Sequence, residues 1–328
     1  MAVLVTGGAG YVGSHAVAAL LEKGEEVVVV DNLYQGHKDA LLGGKFYEGD
    51  LRDEAFLDKV FAENDIDGVI HFAANSLVGE SMQNPGKYYH NNVYGTLILL
   101  EAMQKAGVKR IIFSSTAATY GEPEKVPIDE YDRTLPTNAY GETKLAMEKM
   151  IRWFDHAHGV KYTSLRYFNA AGAHESGTIG EDHKPETHLI PLVLQVALGQ
   201  REFISVFGDD YPTEDGTCLR DYIHVSDLAD AHVLALERLR KGGDSAIYNL
   251  GTGSGFSVKQ VVDLAREVTG HAIPVRVEPR RAGDPAVLVA SSDRARSELG
   301  WNPRRAQLKD IIASAWGWHV SHPNGYEN

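Results

Sequence analysis

The 328-residue sequence has a single cysteine, Cys218. No intrachain disulfide and no cysteine-based zinc site can form from it, and a reducing cytoplasm is the expected setting. Long apolar runs are also lacking. No stretch approaches the roughly 20 consecutive apolar residues of a membrane span, so no membrane partner is expected. The opening MAVLVTGGAG has neither the charged nor the apolar region of a signal peptide. Basic residues are outnumbered 32 to 45, for a net charge of −13. No Lys/Arg-rich run offers the basic face of a nucleic-acid binder. There are no tandem repeats and no low-complexity tracts. Histidines are present, but His71 and His224, both in strand-like segments, have no partner at metal-ligand spacing, and no metal is expected.

What remains is an ordinary globular composition, 43% apolar and 23% charged. Short apolar runs alternate with helical patterns through the first half. Strands are predicted at Ala2–Thr6, Val27–Val30, Lys45–Tyr47, Val69–Phe72, Arg110–Ser114 and Tyr162–Phe168. Helices are predicted at Tyr11–Lys23, Asp53–Asn64, Asn92–Lys105 and Tyr140–His158. This alternation implies an α/β fold, a doubly wound parallel sheet covered on both faces. After about residue 172 the texture changes, first to a polar segment over Gly172–Glu186 and then to shorter elements. The predicted organisation is a domain over 1–172 and a smaller α/β domain over 173–328, with some later segments returning to the first.

Three motifs carry chemistry. In TGGAGYVG, Gly7, Gly10 and Gly13 follow a strand and open a helix. Small residues there let the backbone approach a pyrophosphate, whose charge sits at the helix N-terminus. The second strand ends at Asp31, where a carboxylate can accept both ribose hydroxyls and repel a 2′-phosphate. That context raises a glycine-rich turn to a Rossmann-type dinucleotide site, with NAD favoured over NADP. The second motif is Tyr140-Gly-Glu-Thr-Lys144, whose ends share a helical face. An ammonium beside a phenol lowers the phenol's pKa, which makes a general base for a sugar hydroxyl. The third is SSTAATYG at Ser114–Gly121, where a strand ends and any of Ser114, Ser115 and Thr116 can meet a substrate oxygen.

With these residues the chain resembles the extended short-chain dehydrogenases/reductases, most closely the branch that epimerises UDP-sugars at C4. GGAGYVGSH, FSSTAATYG, YGETKLAMEKM, RDYIHV and RRAGDP carry the likeness along nearly the whole chain. The resemblance implies interconversion of UDP-glucose and UDP-galactose through a transient 4-keto sugar, with NAD tightly bound. Tyr140 would act as phenolate on O4, Thr116 would orient O4, and Lys144 would hold the nicotinamide ribose and tune Tyr140. Carried over residue by residue, the cofactor contacts are Tyr11 and Val12 at the pyrophosphate, and Asp31, Asn32, Leu33 and Gly36 around the adenosine ribose. Asp50 and Leu51 flank the adenine, Phe72, Ala73 and Ala74 pass under the cofactor, and Asn92 and Phe168 complete the set. Ser76 stands where some members carry a lysine near the pyrophosphate.

On the substrate side the resemblance implies a diphosphate clamp of Arg220 and Arg281, with Asn169, Thr187, His188 and Leu189 near the diphosphate or sugar. Ser205, Val206 and Phe207 would meet the uracil, Asp284 the uridine ribose, and Leu288 the sugar's C2 substituent. Leucine there implies UDP-glucose and UDP-galactose as the main pair, with some activity on the N-acetylated sugars. A 4,6-dehydratase shares the fold but places an Asp-Glu pair after the threonine, where this chain has Ala117 and Ala118. A net dehydrogenase would need to exchange NAD freely, which the residues leave open. A non-catalytic NAD sensor would have lost the Tyr/Lys pair. The helix around 142–157 is apolar on several faces, which implies a homodimer, as in family members.

Overall fold

A computed structural model describes residues 1–281 and 284–326, which leaves Ala282 and Gly283 of the RRAGDP motif outside the described residues. The main sheet contains β1 (Ala2–Thr6), β2 (Glu26–Asp31), β3 (Lys45–Glu48), β4 (Ile66–His71), β5 (Arg110–Ser114) and β6 (Lys161–Tyr167). Its helices are α1 (Tyr11–Glu22), α2 (Glu54–Ala62), two short helices α3 (Val78–Gln83) and α4 (Pro85–Tyr88), α5 (Gly95–Ala106) and α6 (Ala139–His158). Further along run β7 (Asn169–Ala171), α7 (Leu189–Ala197), β8 (Ile204–Phe207), β9 (Leu219–Arg220), β10 (Tyr222–His224) and α8 (Val225–Arg240). The last elements are β11 (Ala246–Leu250), β12 (Phe256–Ser257), α9 (Val258–Thr269), β13 (Val275–Glu278), β14 (Val287–Leu288) and α10 (Leu308–Ser321).

The seven strands of the main sheet lie in the order β11-β6-β5-β4-β1-β2-β3, all parallel. Read from the other edge, the first six follow the doubly wound order 3-2-1-4-5-6, with its switch point between β1 and β4. The unbroken apolar runs have a direct cause. Leu4, Val28 and Val30 face one core, with Leu57 of α2, Leu99 of α5 and Met147 and Ile151 of α6. Val3, Val5, Val27 and Val29 face another, with Val17 and Leu20 of α1 and Leu228 and Leu236 of α8. Alternate residues of each strand thus bury against opposite helical layers.

Residues 246–250, beyond the change in texture at 172, form the edge strand β11 of this main sheet. The rest of the second half builds small sheets, β10-β7, β12-β9-β14 and β13-β8. Helices α7, α9 and α10 share a separate core around Leu194, Val261 and Ile311.

The predicted helix from Asn92 begins differently. Tyr89–Tyr94 forms a π-helical turn ahead of α5, with Asn92 fully buried inside it. Asn92 Nδ2 donates to the Asn75 carbonyl (3.0 Å) and to Thr143 Oγ1 (3.1 Å), and its Oδ1 accepts from Asn75 N (2.8 Å). The extra residue in the turn turns the amide inward to tie the loop after β4 to α6.

Candidate active site

The crevice at the switch point opens between the ends of β1 and β4. Gly7 has φ 71°, and a Cβ on it would come within 2.5 Å of Ala73 N. A Cβ on Gly13 would lie 2.1 Å from the Gly7 carbonyl oxygen. The turn therefore closes only with glycine at both positions. Gly10 caps α1 without a side-chain bond, and the first turn holds no acidic residue, so no side chain of that turn occupies the N–H groups at the helix start. This cradle fits a dinucleotide pyrophosphate. Below it, buried His71 is held between Thr6 Oγ1 (2.7 Å) and Thr96 Oγ1 (2.9 Å), and burial pushes its imidazole down to about 3. It is a neutral strut of the core.

Asp31 ends β2 and is nearly buried. Its carboxylate accepts from Ala9 N (3.0 Å) and Leu33 N (2.8 Å). Burial raises its pKa, and these backbone bonds oppose the rise. Among the described residues Leu33 is the one non-glycine residue at positive φ, 56°. That conformation costs roughly 1–2 kcal/mol, and Asp31 holds it. Just past β2 and β3 Asn32 Nδ2 donates to Asp50 (3.1 Å), and Arg52 pairs with Asp50 (2.6 Å), which holds the Asp50 carboxyl well below its ordinary range. Leu51 is buried beneath them, Gly36 passes close over Ala9, and Phe72 packs on His232 with ring centroids 4.6 Å apart. Ala73 and Ala74 are half-buried along the crevice and Ser76 is exposed. The Asp31→Ala variant is expected to lose bound NAD and to discriminate less against NADP. Cofactor released from the purified variant checks this, and an undiminished NAD content would contradict it.

Helix α6 begins with Asn138, whose Oδ1 accepts from Gly141 N (2.8 Å). Tyr140 follows in the first turn, its backbone N–H donating to Ser81 Oγ (3.1 Å) of α3. Thr116 lies just past β5 and caps a short helical turn, its hydroxyl accepting from Ala118 N (3.1 Å). Burial pushes the Tyr140 phenol above its ordinary value, and the neighbouring Thr116 hydroxyl pulls it back. Lys144, one turn on, is 3% exposed and donates to the Ser114 carbonyl (2.8 Å). Burial lowers its ammonium to about 7, opposed by Glu148.

The Lys144 ammonium is directed at the Ser114 carbonyl at the end of β5, and burial destabilises phenolate and ammonium alike.

Beneath the pair lies a network that the motifs do not announce. Glu148 accepts from Arg166 Nε (2.9 Å) and Nη2 (2.5 Å) and from Ser115 Oγ (2.5 Å). Arg166 also donates to Tyr120 Oη (3.0 Å). Ser114 Oγ meets Tyr167 Oη at 2.6 Å. Tyr140, Lys144 and Glu148 recur every fourth residue, so the stripe itself was a readable signal.

The residues expected on the substrate side come from several short elements. Arg220 of β9 is ion-paired with Asp284, and Leu288 of β14 pairs in register with Arg220. The Arg281 guanidinium lies 3.9 Å over the Phe207 ring at the end of β8, the strand that holds Ser205 and Val206. Asn169 Nδ2 donates to the Asp221 carbonyl (3.1 Å). Phe168 and Leu288 both pack against the cluster of Ala117, Tyr120 and Ile128, which begins immediately after Thr116 in the chain.

Thr187 and His188 stand before α7, with His188 at its N-cap and Leu189 its first residue. His188 is not alone. Glu181, His183, Glu186 and His188 form a cluster whose donor atoms all lie within 4.8 Å of one another. Burial works to lower both imidazoles, yet the two carboxylates hold His183 at about 9 and His188 at about 10. The sequence expectation of no metal overlooked this E-x-H-x-x-E-x-H spacing, which lies in a loop without periodicity.

Comparisons with known proteins agree with this geometry. The UDP-glucose 4-epimerase of Halalkalibacterium halodurans is 62% identical over 326 residues, 99% of this chain and 98% of its own length. That of Streptococcus mutans is 57% identical over 331 residues, 100% of this chain and 99% of its own. A crystal structure of the Bifidobacterium longum UDP-glucose 4-epimerase, in complex with NAD+ and UDP, superposes with a TM-score of 0.94 at 45% identity, covering 99% of this chain and 100% of that one. The model of the NAD dependent epimerase/dehydratase family matches residues 3–251. The chain belongs to the NAD dependent epimerase/dehydratase family.

Proposed function

We propose that this enzyme interconverts UDP-glucose and UDP-galactose by inverting C4, within galactose metabolism, while NAD stays bound. Residues 1–172 chiefly hold the cofactor and 173–328 the sugar nucleotide. When bound, NAD supplies the acceptor and donor for the C4 hydrogen and its electron pair. Tyr140 takes the O4 proton and later returns it. Thr116 orients O4 and favours the phenolate by its hydrogen bond. Lys144, buried with a pKa near 7, fixes the floor of the site against the Ser114 carbonyl. Ser205–Phe207, Arg220, Arg281 and Asp284 grip the UDP half, with Asn169, Thr187, His188 and Leu189 beside it. The grip leaves the 4-keto sugar free to turn over while the nucleotide stays in place.

The observation that carries this reading is the meeting of Tyr140, Thr116 and Lys144 at the carboxyl end of β5, with Ala117 and Ala118 where an elimination would need acids. The test is a coupled assay of purified protein on UDP-galactose with no NAD added. Conversion to UDP-glucose is expected, and a strict dependence on added NAD would contradict the reading.

Leu288 sets the range of sugars. It packs, as Phe168 does, on the cluster of Ala117, Tyr120 and Ile128 that follows Thr116, where tyrosine would fill the space around the C2 substituent. Overpacking of that size costs about 1–3 kcal/mol. Wild type should therefore act on UDP-glucose and UDP-galactose with measurable turnover of UDP-N-acetylglucosamine, and Leu288→Tyr should lose the last activity selectively. Unchanged selectivity would remove Leu288 from this role.

The working form is a cytoplasmic homodimer. The free, buried Cys218 suits a reducing compartment. Trp153 of α6 is 62% exposed and Tyr94 42%, an apolar surface suited to pairing with a second copy.

A further inference from the structure

We propose that Glu181, His183, Glu186 and His188 form a binding site for one divalent cation of the zinc class, which fixes the segment before α7 against helix α1. The site uses none of the groups that act on the sugar's C4. Glu181 Oε1 lies 2.8 Å from His188 Nδ1 and 3.2 Å from His183 Nδ1. Glu186 Oε1 lies 3.1 Å from His188 Nδ1, and Glu186 Oε2 lies 3.6 Å from His183 Nδ1.

Zinc–nitrogen and zinc–oxygen bonds of about 2.0–2.2 Å at tetrahedral angles place neighbouring donors about 3.3–3.5 Å apart. The four observed separations bracket that edge length. Two imidazoles and two carboxylates are donors that zinc and its neighbours accept, whereas magnesium prefers all-oxygen sites.

An ion-pair cluster held by protons alone is the competing description, and two buried atoms speak against it. Glu181 is 4% exposed, yet its Oε1 has no aligned hydrogen-bond partner, and neither has His183 Nδ1. Of the four contacts only His188 Nδ1–Glu186 Oε1 has hydrogen-bond alignment, and that oxygen also accepts from the N–H groups of Thr187 (2.7 Å) and His188 (2.8 Å). Buried polar atoms left in this state are costly, and a cation at their common centre satisfies both while displacing the protons that the carboxylates otherwise hold on His183 and His188.

The surroundings give the ion a structural task. The His183 ring packs edge-on against Tyr11, with centroids 6.1 Å apart, and Tyr11 Oη donates to the Gly172 carbonyl (2.7 Å). Asp182 reaches His37 at 3.4 Å, and Gln35 Nε2 donates to the Lys184 carbonyl (3.3 Å). The cluster therefore sits where the 181–188 segment crosses the cofactor-binding turn. His188 also carries this clamp to the N-terminus of α7.

The test uses the full chain, stripped with EDTA and gel-filtered. Zinc is titrated in competition with a chromophoric chelator, and metal content is read by mass spectrometry. One tightly bound zinc per chain is expected, with magnesium unable to compete. The thermal midpoint should fall on stripping and recover with zinc. His183→Gln should weaken zinc binding by about 10²-fold or more, since even outer-shell partners are worth 10–100-fold. Should that variant not fold, cobalt added to the stripped wild type gives an independent readout, the intense visible absorption of a four-coordinate ion. No zinc bound in the competition titration, with a thermal midpoint indifferent to EDTA, would overturn the site and leave a proton-held cluster.

Discussion

Tyr140→Phe is expected to slow turnover by a factor of about 10² or more, the scale of a lost general base, with folding and NAD content unchanged. The phenyl ring keeps the packing of the first turn of α6, and the bond from Tyr140 N to Ser81 Oγ belongs to the backbone. What disappears is the phenol proposed to exchange a proton with O4, whose pKa the Thr116 hydroxyl lowers against burial. Thr116→Ala should act in the same direction through the same atom, because the phenol then loses the neighbouring hydroxyl that offsets its burial. Single-turnover absorbance of the nicotinamide reports the chemical step directly. Near wild-type rates in Tyr140→Phe would remove the phenol from the mechanism.

Glu148→Ala is expected to destabilise the protein by about 3–5 kcal/mol, the range for breaking a buried ion pair by removing one partner. Glu148 is 5% exposed and Arg166 3%. The carboxylate takes two bonds from the guanidinium and one from Ser115. Without it Arg166 keeps only the bond to Tyr120 Oη and the ring 4.8 Å beneath its plane. Glu148 also props up the Lys144 ammonium against burial. Its removal moves the Lys144 titration to lower pH, so the variant's kcat–pH profile shifts the same way. Urea unfolding followed by fluorescence measures the first effect. A midpoint within error of wild type would show that the network carries little stability.

Much of the sheet was legible because both of its faces are buried. AVLVT and RIIFS are short apolar or mixed runs with sharp polar or glycine boundaries, and Ala2–Thr6 and Arg110–Ser114 are the strands observed. Helices α3 and α4 were not legible, since six and four residues are too few to show a helical period. The two-residue strands β9, β12 and β14 exist only through pairing with segments distant in sequence.

The site divides along the same line. The glycine turn, Asp31 and the Tyr140/Lys144 face follow from local spacing. Ser81 arrives from an unread helix, and Arg166 looks like an ordinary strand residue until Glu148 is brought against it. The Lys144 environment was the least legible part, because burial depth is a tertiary property that spacing does not encode.

Internal return of the C4 hydrogen is the central claim, and a label at that position tests it. The enzyme is purified, given no NAD, and turned over with UDP-glucose carrying deuterium at C4 in ordinary water. A single closed site, in which Tyr140 handles only the O4 proton, predicts UDP-galactose with the deuterium still on C4. Loss of the label to solvent would contradict it.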